Sequence, residues 1–265
     1  MADVRNTQFV TLRSTDRVSG TGGQATFRLP SLDLPKSHTV FLVNATIPYT
    51  FYNIEAPDNL FSFRETGAIT ATASFSITPG NYTSQELATL LEAEMTTNSP
   101  NSETYTVDYN FNTGKFTFDT GDPATVLDFD EIAMSLKLFL AIGFYNEVTG
   151  GFTKDGATTG QIITSPNYAQ AGPSHLVLES NLRHRGHHTQ FRALNQMATF
   201  PLSGGPGDIM VYEPQDRIEL VSLNDLGALS NIRITIRRDD TGQPITSFNG
   251  APWVITLGIR GFTEN

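Results

Sequence analysis

The chain has 265 residues, with 17 Lys and Arg against 27 Asp and Glu, a formal net charge of −10. It contains no cysteine, which excludes a disulfide-stapled scaffold, thiolate metal sites and a cysteine nucleophile. The acidic balance argues against a protein that coats nucleic acid, because binding to phosphates needs a basic field.

The composition is that of a folded, β-rich protein. Charged residues make up only 17% of the chain, and it contains 22 Gly, 14 Pro and 18 Phe. Aromatic and β-branched residues favour strands, and Gly and Pro favour the turns between them. We expect neither a secretory signal near the N-terminus nor membrane insertion, since the longest apolar stretch is only Leu136–Phe144.

The N-terminal residues 1–23 are polar and end in the glycine-rich segment Ser19–Gly23. Such segments are mobile unless a partner holds them. The sequence therefore predicts an N-terminal arm over 1–23 that is ordered only on a partner, followed by a single domain over 24–265.

Alternating apolar residues predict short strands, each bounded by Gly or Pro. Before residue 80 the candidates are Gln24–Leu29, Thr39–Ile47, Leu60–Arg64 and Ser74–Ile77. After residue 160 they are Gln161–Thr164, His175–Ser180, Gln196–Leu202, Asp208–Tyr212, Arg217–Ser222, Asn231–Arg237 and Trp253–Arg260.

Between these groups, an inserted α+β block is predicted at about 80–146. Thr83 and Glu86 have capping-box spacing and start a helix that should end near residue 97. A hairpin follows over Tyr105–Phe118. A second helix is predicted at about 130–142, capped by Asp128 or Asp130 and ended by a glycine at 143, with a buried strand as the alternative.

This order of elements predicts an all-β, mainly antiparallel fold, a sandwich or a barrel, with a helix–hairpin–helix block between its strands. The apolar positions of the periodic segments should be largely buried. They are Phe27, Val43, Ile47, Phe61, Phe75, Leu87, Leu91, Phe139, Ile218, Ile234, Ile236 and Val254.

The residues show no catalytic, metal-binding or cofactor-binding motif, so we expect a protein that is not an enzyme and has no cofactor. One basic cluster remains, formed by Arg183, His184, Arg185, His187 and His188. Cationic neighbours disfavour a divalent ion, so the cluster is either a solvated loop or an interface loop that meets an acidic surface. Histidine protonation would make such an interface pH-sensitive.

Several stretches, taken together and in order, resemble the penton, or minor capsid, proteins of the double-jelly-roll lineage of DNA viruses, of the virophage and polinton-like type. They are Val43–Ile54, Phe75–Thr83, Tyr105–Phe118, Leu138–Phe144, His175–Asn181, Ile232–Gly242 and Trp253–Ile259.

The resemblance implies a single jelly-roll β-sandwich with a small helix–hairpin–helix insertion. It also implies a structural virion protein, with homopentameric capsomers at the five-fold vertices of an icosahedral capsid. It implies contacts with other copies of the chain and with the major capsid protein, no direct nucleic-acid binding, and synthesis in a host cell without a secretory signal. The alternative is a receptor- or carbohydrate-binding jelly-roll module of a viral fibre or spike.

Overall fold

A computed structural model describes residues 3–29, 37–129, 134–146, 151–152, 161–169, 172–184, 195–215, 220–221, 231–240 and 242–263. The chain separates into two compact units: residues 1–51 together with 173–265, and residues 52–172. No helix in the described ranges is long and apolar enough to span a membrane.

The first unit consists of two antiparallel sheets. Its strands are β1 (Asp3–Arg13), β2 (Ser19–Thr21), β3 (Gln24–Arg28), β4 (Ser37–Pro48), β13 (His175–Ser180), β14 (Arg183–His184), β15 (Gln196–Pro201), β16 (Ile209–Tyr212), β17 (Leu220–Val221), β18 (Asn231–Arg238) and β19 (Val254–Thr263). Sheet A has the order β1-β19-β4, with β16 and β17 both pairing the far side of β4 and β14 beyond β17. Sheet B has the order β15-β13-β18-β3-β2.

This strand order is that of a jelly roll. Counting the main strands β1, β3, β4, β13, β15, β16, β18 and β19 as one to eight gives 1-8-3-6 in sheet A and 5-4-7-2 in sheet B. Two four-stranded sheets connected in this way form the two Greek keys of the jelly roll. The predicted fold class is thus confirmed by the topology.

The core of this unit lies between the inward faces of the two sheets. Trp253 is fully buried there, its ring edge-on to Phe27 with centroids 5.7 Å apart, and its indole N–H donates to the Gly22 carbonyl at 3.1 Å. The buried tryptophan therefore has both its apolar surface and its donor satisfied.

The prediction of an N-terminal arm is wrong over the part of 1–23 that the structure describes, residues 3–23. Residues 19–21 form β2 of sheet B, and the Gly22 carbonyl accepts the indole N–H of Trp253. Residues 3–13 form β1, which pairs with β19 along its length and shows one register shift between Arg5 and Thr7. Val10 packs against the core and Leu12 is 4% exposed within it. These alternating side chains make β1 an integral edge strand of sheet A.

The second unit, 52–172, is inserted between β4 and β13, so the insertion is wider than the predicted 80–146. Its helices are α1 (Ser84–Asn98) and α2 (Leu136–Ala141), and its strands are β5 (Leu60–Thr66), β6 (Thr70–Ser76), β7 (Thr106–Asn110), β8 (Lys115–Asp119), β9 (Val126–Asp128), β10 (Tyr145–Asn146), β11 (Gly151–Phe152) and β12 (Ile162–Thr164). They form three-stranded sheets β6-β5-β9 and β12-β8-β7, and the small hairpin β10-β11.

The second unit has an aromatic core of its own. Phe118 and Phe129 lie edge to face with centroids 4.9 Å apart, and Phe144 packs on Phe129 at the same distance. A separate buried core is what allows a unit to be compact independently of its neighbour in sequence.

The capping predictions in this unit are confirmed for α1 and partly wrong for α2. Thr83 caps α1, and both hydrogen bonds of the capping box with Glu86 are present. The N-cap of α2 is Ser135, not Asp128, which lies in β9. The glycine at 143 has φ 79°, and the Phe144 N–H donates back to the Phe139 carbonyl at 2.9 Å, as predicted for the helix end.

Eight of the twelve predicted core residues are buried: Phe27, Ile47, Phe61, Leu87, Leu91, Phe139, Ile234 and Ile236. Val43 is half-buried because it is the extra residue of a bulge, between the pairs Asn44–Thr256 and Leu42–Leu257. Val254 and Phe75 are also half-buried, the first on the outward face of β19 and the second on an edge strand. The prediction for Ile218 lies outside the described residues.

Candidate subunit interface

The predicted basic loop lies mostly outside the described residues. Arg183 and His184 form β14, which pairs with β17 at the edge of sheet A. Arg185, His187 and His188 are not among the described positions. The proposed interface role of the cluster thus stays a prediction.

The structure points instead to the outward face of sheet A. In β19, Ile255, Leu257 and Ile259 are buried in the core, so the alternate residues point outward. Strands β1 and β16 alternate in the same way, and β4 does so on each side of its bulge at Val43. This outward face is the candidate interface.

One row of this face is aromatic. Phe9 of β1, Gly258 of β19 and Phe41 of β4 are register partners across three adjacent strands. Phe9 is 65% exposed, whereas Phe41 is fully buried beside the glycine. The Arg260 guanidinium carbon lies 5.3 Å from the Phe41 ring centroid, a cation–π distance.

A second row is aliphatic and lies toward β16. Val211 pairs with Thr46, which in turn pairs with Val254 of β19. Ile209, next on the same side of β16, is 68% exposed and Val211 is 67% exposed. The inward neighbour Met210 is 6% exposed, so β16 presents its branched side chains to the outside while still anchoring to the core.

Between these two rows lies a polar strip of hydroxyl groups. Thr11 and Thr256 face each other across β1 and β19 with their Oγ1 atoms 3.5 Å apart. Arg13, at the end of β1, is exposed and pairs with Val254, so the aliphatic row ends in a charged residue. The face thus combines apolar side chains with few charges, the composition of buried protein–protein contacts.

The outward face of sheet B is different in character. It carries exposed Arg28 and Arg233. Arg237 on the same face pairs with Glu179 at 2.7 Å. Among the described residues, none of the large apolar side chains that are exposed lies in a strand of sheet B. The exposed apolar surface therefore distinguishes the outward face of sheet A from that of sheet B.

Two sets of buried polar side chains form hydrogen bonds or ion pairs inside their own unit. In the second unit the fully buried Glu65 carboxylate accepts from the Tyr105 hydroxyl at 2.8 Å and from the Asn101 backbone N–H at 2.9 Å. Burial, and then the hydrogen bond to Glu65, raise the pKa of Tyr105 above its usual range. In the first unit the nearly buried pair Arg238–Asp240 is 2.6 Å apart. No group of three or more His, Asp or Glu in the described ranges is arranged to hold a metal ion.

Sequence reasoning missed the apolar face, although its strands were mostly predicted. In Asp208–Tyr212 all four side chains after the aspartate are apolar or aromatic, so alternation does not tell inside from outside. In β1 the signal was present, since Val10 and Leu12 alternate with Phe9 and Thr11. The glycine-rich segment that follows predicts a mobile arm instead, so the two local signals conflict.

No protein-family model and no curated protein matches the sequence. Among solved structures, the mavirus penton protein is similar at 9% sequence identity and a TM-score of 0.49, over 98% of this chain and 100% of that one. A chain of the Sputnik virophage structure is similar at 14% identity and a TM-score of 0.40, over 96% and 98%. The mavirus protein is a penton protein, the class that the order of motifs in the sequence resembles.

Proposed function

We propose that this chain is a structural capsid protein that assembles into homopentamers at the five-fold vertices of an icosahedral shell. The observation that carries the proposal is the outward face of sheet A, an exposed apolar surface on a jelly-roll unit. The ordered resemblance of the sequence to penton proteins supports the choice of partner, another copy of the same chain. The major capsid protein is the second partner, and the virion is the site of action.

In a ring of five copies, each protomer uses two different surfaces, so the outward face of sheet A need not match itself. A stable contact of this type buries at least about 1,000 Å². Phe9, Ile209 and Val211 are the exposed apolar side chains that such a contact would cover. The basic cluster at 183–188 is a second candidate surface, toward an acidic region of a neighbouring capsomer.

The assembly test uses charge placed on the apolar face. Phe9→Asp combined with Val211→Asp should leave the protomer folded, because both side chains are exposed, and should shift the protein from pentamer to monomer in sedimentation velocity. Phe111→Asp is the matched control, since Phe111 is 75% exposed on the hairpin loop of the other unit.

Two results would count against the proposal. A wild-type chain that stays monomeric at high concentration, with and without the major capsid protein, removes the ring. A pentamer that is unaffected by the double substitution keeps the ring and removes this face from its contact.

A further inference from the structure

The inserted unit 52–172 has one sheet edge that stands out among those described. β6 runs over seven residues, Thr70–Ser76, and contains no charge, no proline and no glycine. Its pairing with β5 is continuous, without a register shift. Long, flat, uncharged edge strands are templates for pairing with another chain, and proteins ordinarily protect them.

The other edges of this unit are short or covered. β9 and β12 have three residues each. β7 is covered by α1: the Glu92 carboxylate accepts the Val107 N–H at 3.0 Å, and the Thr96 hydroxyl accepts the Tyr105 N–H at 3.0 Å. Side chains of the helix thus accept the N–H of Val107 in β7 and the N–H of Tyr105 just before it. In the described part of the chain, the outward amides of Thr72 and Ser74 in β6 have no such acceptor.

The hydrogen-bond phase of β6 shows which groups point outward. The Ile77 N–H donates to the Asn59 carbonyl at 2.8 Å, and the Gly67 N–H donates to the Ile69 carbonyl at 3.1 Å. Antiparallel pairs alternate between bonded and non-bonded positions. The odd-numbered residues of β6 therefore bond to β5, and the N–H and C=O groups of Thr72 and Ser74 face away from it. Within the described ranges β6 has β5 as its one strand partner.

Two apolar side chains of β6 are more exposed than they would be if another strand lay beside it. Ala73 and Phe75 pack against the core of the unit, yet both are only half-buried. Phe75 stacks on Phe61 of β5 with centroids 5.2 Å apart, so it is ordered on one side. A further strand beside β6 would extend the sheet and cover the exposed part of these side chains.

The negative charge of the inserted unit favours a positively charged partner. Residues 52–172 contain 15 Asp and Glu and 4 Lys and Arg, a net charge of −11, whereas the rest of the chain contains 12 and 13, a net charge of +1. From residue 65 to residue 114 there are six acidic residues and no Lys or Arg. The nearby cation Arg64 is already paired with Asp128 at 2.6 Å. An approaching chain meets a negative field, which favours a positively charged one.

We propose that β6 is a docking edge for an extended segment of another protein, a segment of about seven residues that is uncharged along its centre and flanked by Lys or Arg. The segment adds to the sheet next to β6 through backbone hydrogen bonds with Thr72 and Ser74. This inference rests on the inserted unit alone and does not depend on the pentamer.

The test uses the full-length protein and a labelled probe peptide of sequence Lys-Lys-Val-Thr-Val-Thr-Val-Lys-Lys, followed by fluorescence anisotropy. The peptide should bind the wild type. Ser74→Pro removes an outward N–H without removing a bond to β5, and proline is tolerated on an edge strand in that position. Loss of the hydrogen bond from this N–H to the peptide should weaken peptide binding about tenfold or more.

A second variant tests the same edge if Ser74→Pro does not fold. Thr72→Lys keeps the backbone and places a charge on the edge, as natural edge strands do, and should also weaken binding. Thr106→Lys, with the same charge change on the covered edge strand β7, is the matched control and should bind as the wild type does. Circular dichroism checks that each variant is folded.

Changing the charge of the peptide tests the electrostatic attraction separately from the backbone pairing at β6. A peptide with Glu in place of each Lys should bind more weakly, and the difference should shrink as salt is added. The proposal is overturned if the wild type fails to bind at about 1 mM peptide, or if Ser74→Pro and Thr72→Lys bind as the wild type does. It is also overturned if β6 is occupied by a second copy, seen as a self-association that Ser74→Pro abolishes.

Discussion

Phe41 and Gly258 are register partners on adjacent strands of sheet A, and the ring of Phe41 occupies the space that a side chain at 258 would need. A Cβ on Gly258 would stand 2.3 Å from the Cζ atom of Phe41. The glycine thus allows a large aromatic residue to be fully buried on the outward side of a sheet. Close approach of another group is a recurrent reason for glycine within a strand.

Gly258→Ala should therefore destabilise the protomer by about 1–3 kcal/mol, the usual cost of overpacking. Urea unfolding of the unassembled protein measures it. Gly205→Ala is the matched control, because the nearest atom to its Cβ would be 3.9 Å away. That variant should stay within about 0.5 kcal/mol of wild type. Equal unfolding midpoints for the two variants would contradict the packing described.

The N-terminal strand gives a second prediction. Leu12→Ala should cost about 2–5 kcal/mol, because Leu12 is buried in the core between the sheets. Thr11→Ala, one residue away on the exposed side of β1, should change the free energy of unfolding by less than about 0.5 kcal/mol. Deletion of residues 2–13 should prevent folding. A truncated protein with an unchanged unfolding midpoint would restore the interpretation of this segment as an arm.

The buried carboxylate of Glu65 gives a prediction with a pH dependence. Tyr105→Phe removes a donor from this carboxylate and should cost about 1–3 kcal/mol near neutral pH. Since the folded state raises the pKa of Tyr105, the unfolded chain loses this proton first. Its contribution is fully present below about pH 10 and decreases as the pH rises toward the folded pKa.

The measurement is urea unfolding of the wild type and of Tyr105→Phe at neutral and at alkaline pH. The difference in stability between the two proteins should shrink as the pH rises above about 10. A constant difference would mean that the hydroxyl does not keep its proton in the folded state.

The capping box of α1 gives a fourth prediction. Hydrogen bonds from the Thr83 backbone and then from its side chain lower the pKa of Glu86 in the folded protein. The contribution of this carboxylate is present above its ordinary pKa and is lost as the pH falls through the lower folded value. Thr83→Ala should cost about 1 kcal/mol.

NMR titration of the Glu86 side chain checks the same contact directly. In Thr83→Ala the pKa of Glu86 should move up toward its ordinary value of 4.5. An unchanged Glu86 titration in the variant would show that the capping box does not form in solution.

The basic cluster at 183–188 gives a fifth prediction. If the loop meets an acidic surface of a neighbour, assembly should depend on pH between about 5.5 and 7, near the pKa of free imidazole. Replacing His184, His187 and His188 with Gln should flatten that dependence in sedimentation experiments. A wild-type oligomer fraction that is constant over this range would remove the cluster from the interface.

The sequence by itself determined those features whose signal is local. The capping box at Thr83 and Glu86, the glycine at the end of α2 and the alternation in Asn231–Arg237 act through neighbouring residues, so a one-dimensional pattern was enough. The order of such elements along the chain predicted an all-β, antiparallel sandwich or barrel, and the jelly roll itself was implied by the resemblance to penton proteins.

Only the tertiary structure decided the features that depend on which strands meet. Pairing with β19 turned a polar N-terminal segment into a strand, and the bulge at Val43 reversed the facing of the residues beyond it. The outward direction of Ile209 and Val211 was set by the register of β16 on β4, because every side chain in that strand is apolar or aromatic. Strand pairing joins residues far apart in sequence, so its outcome is not written in any single segment.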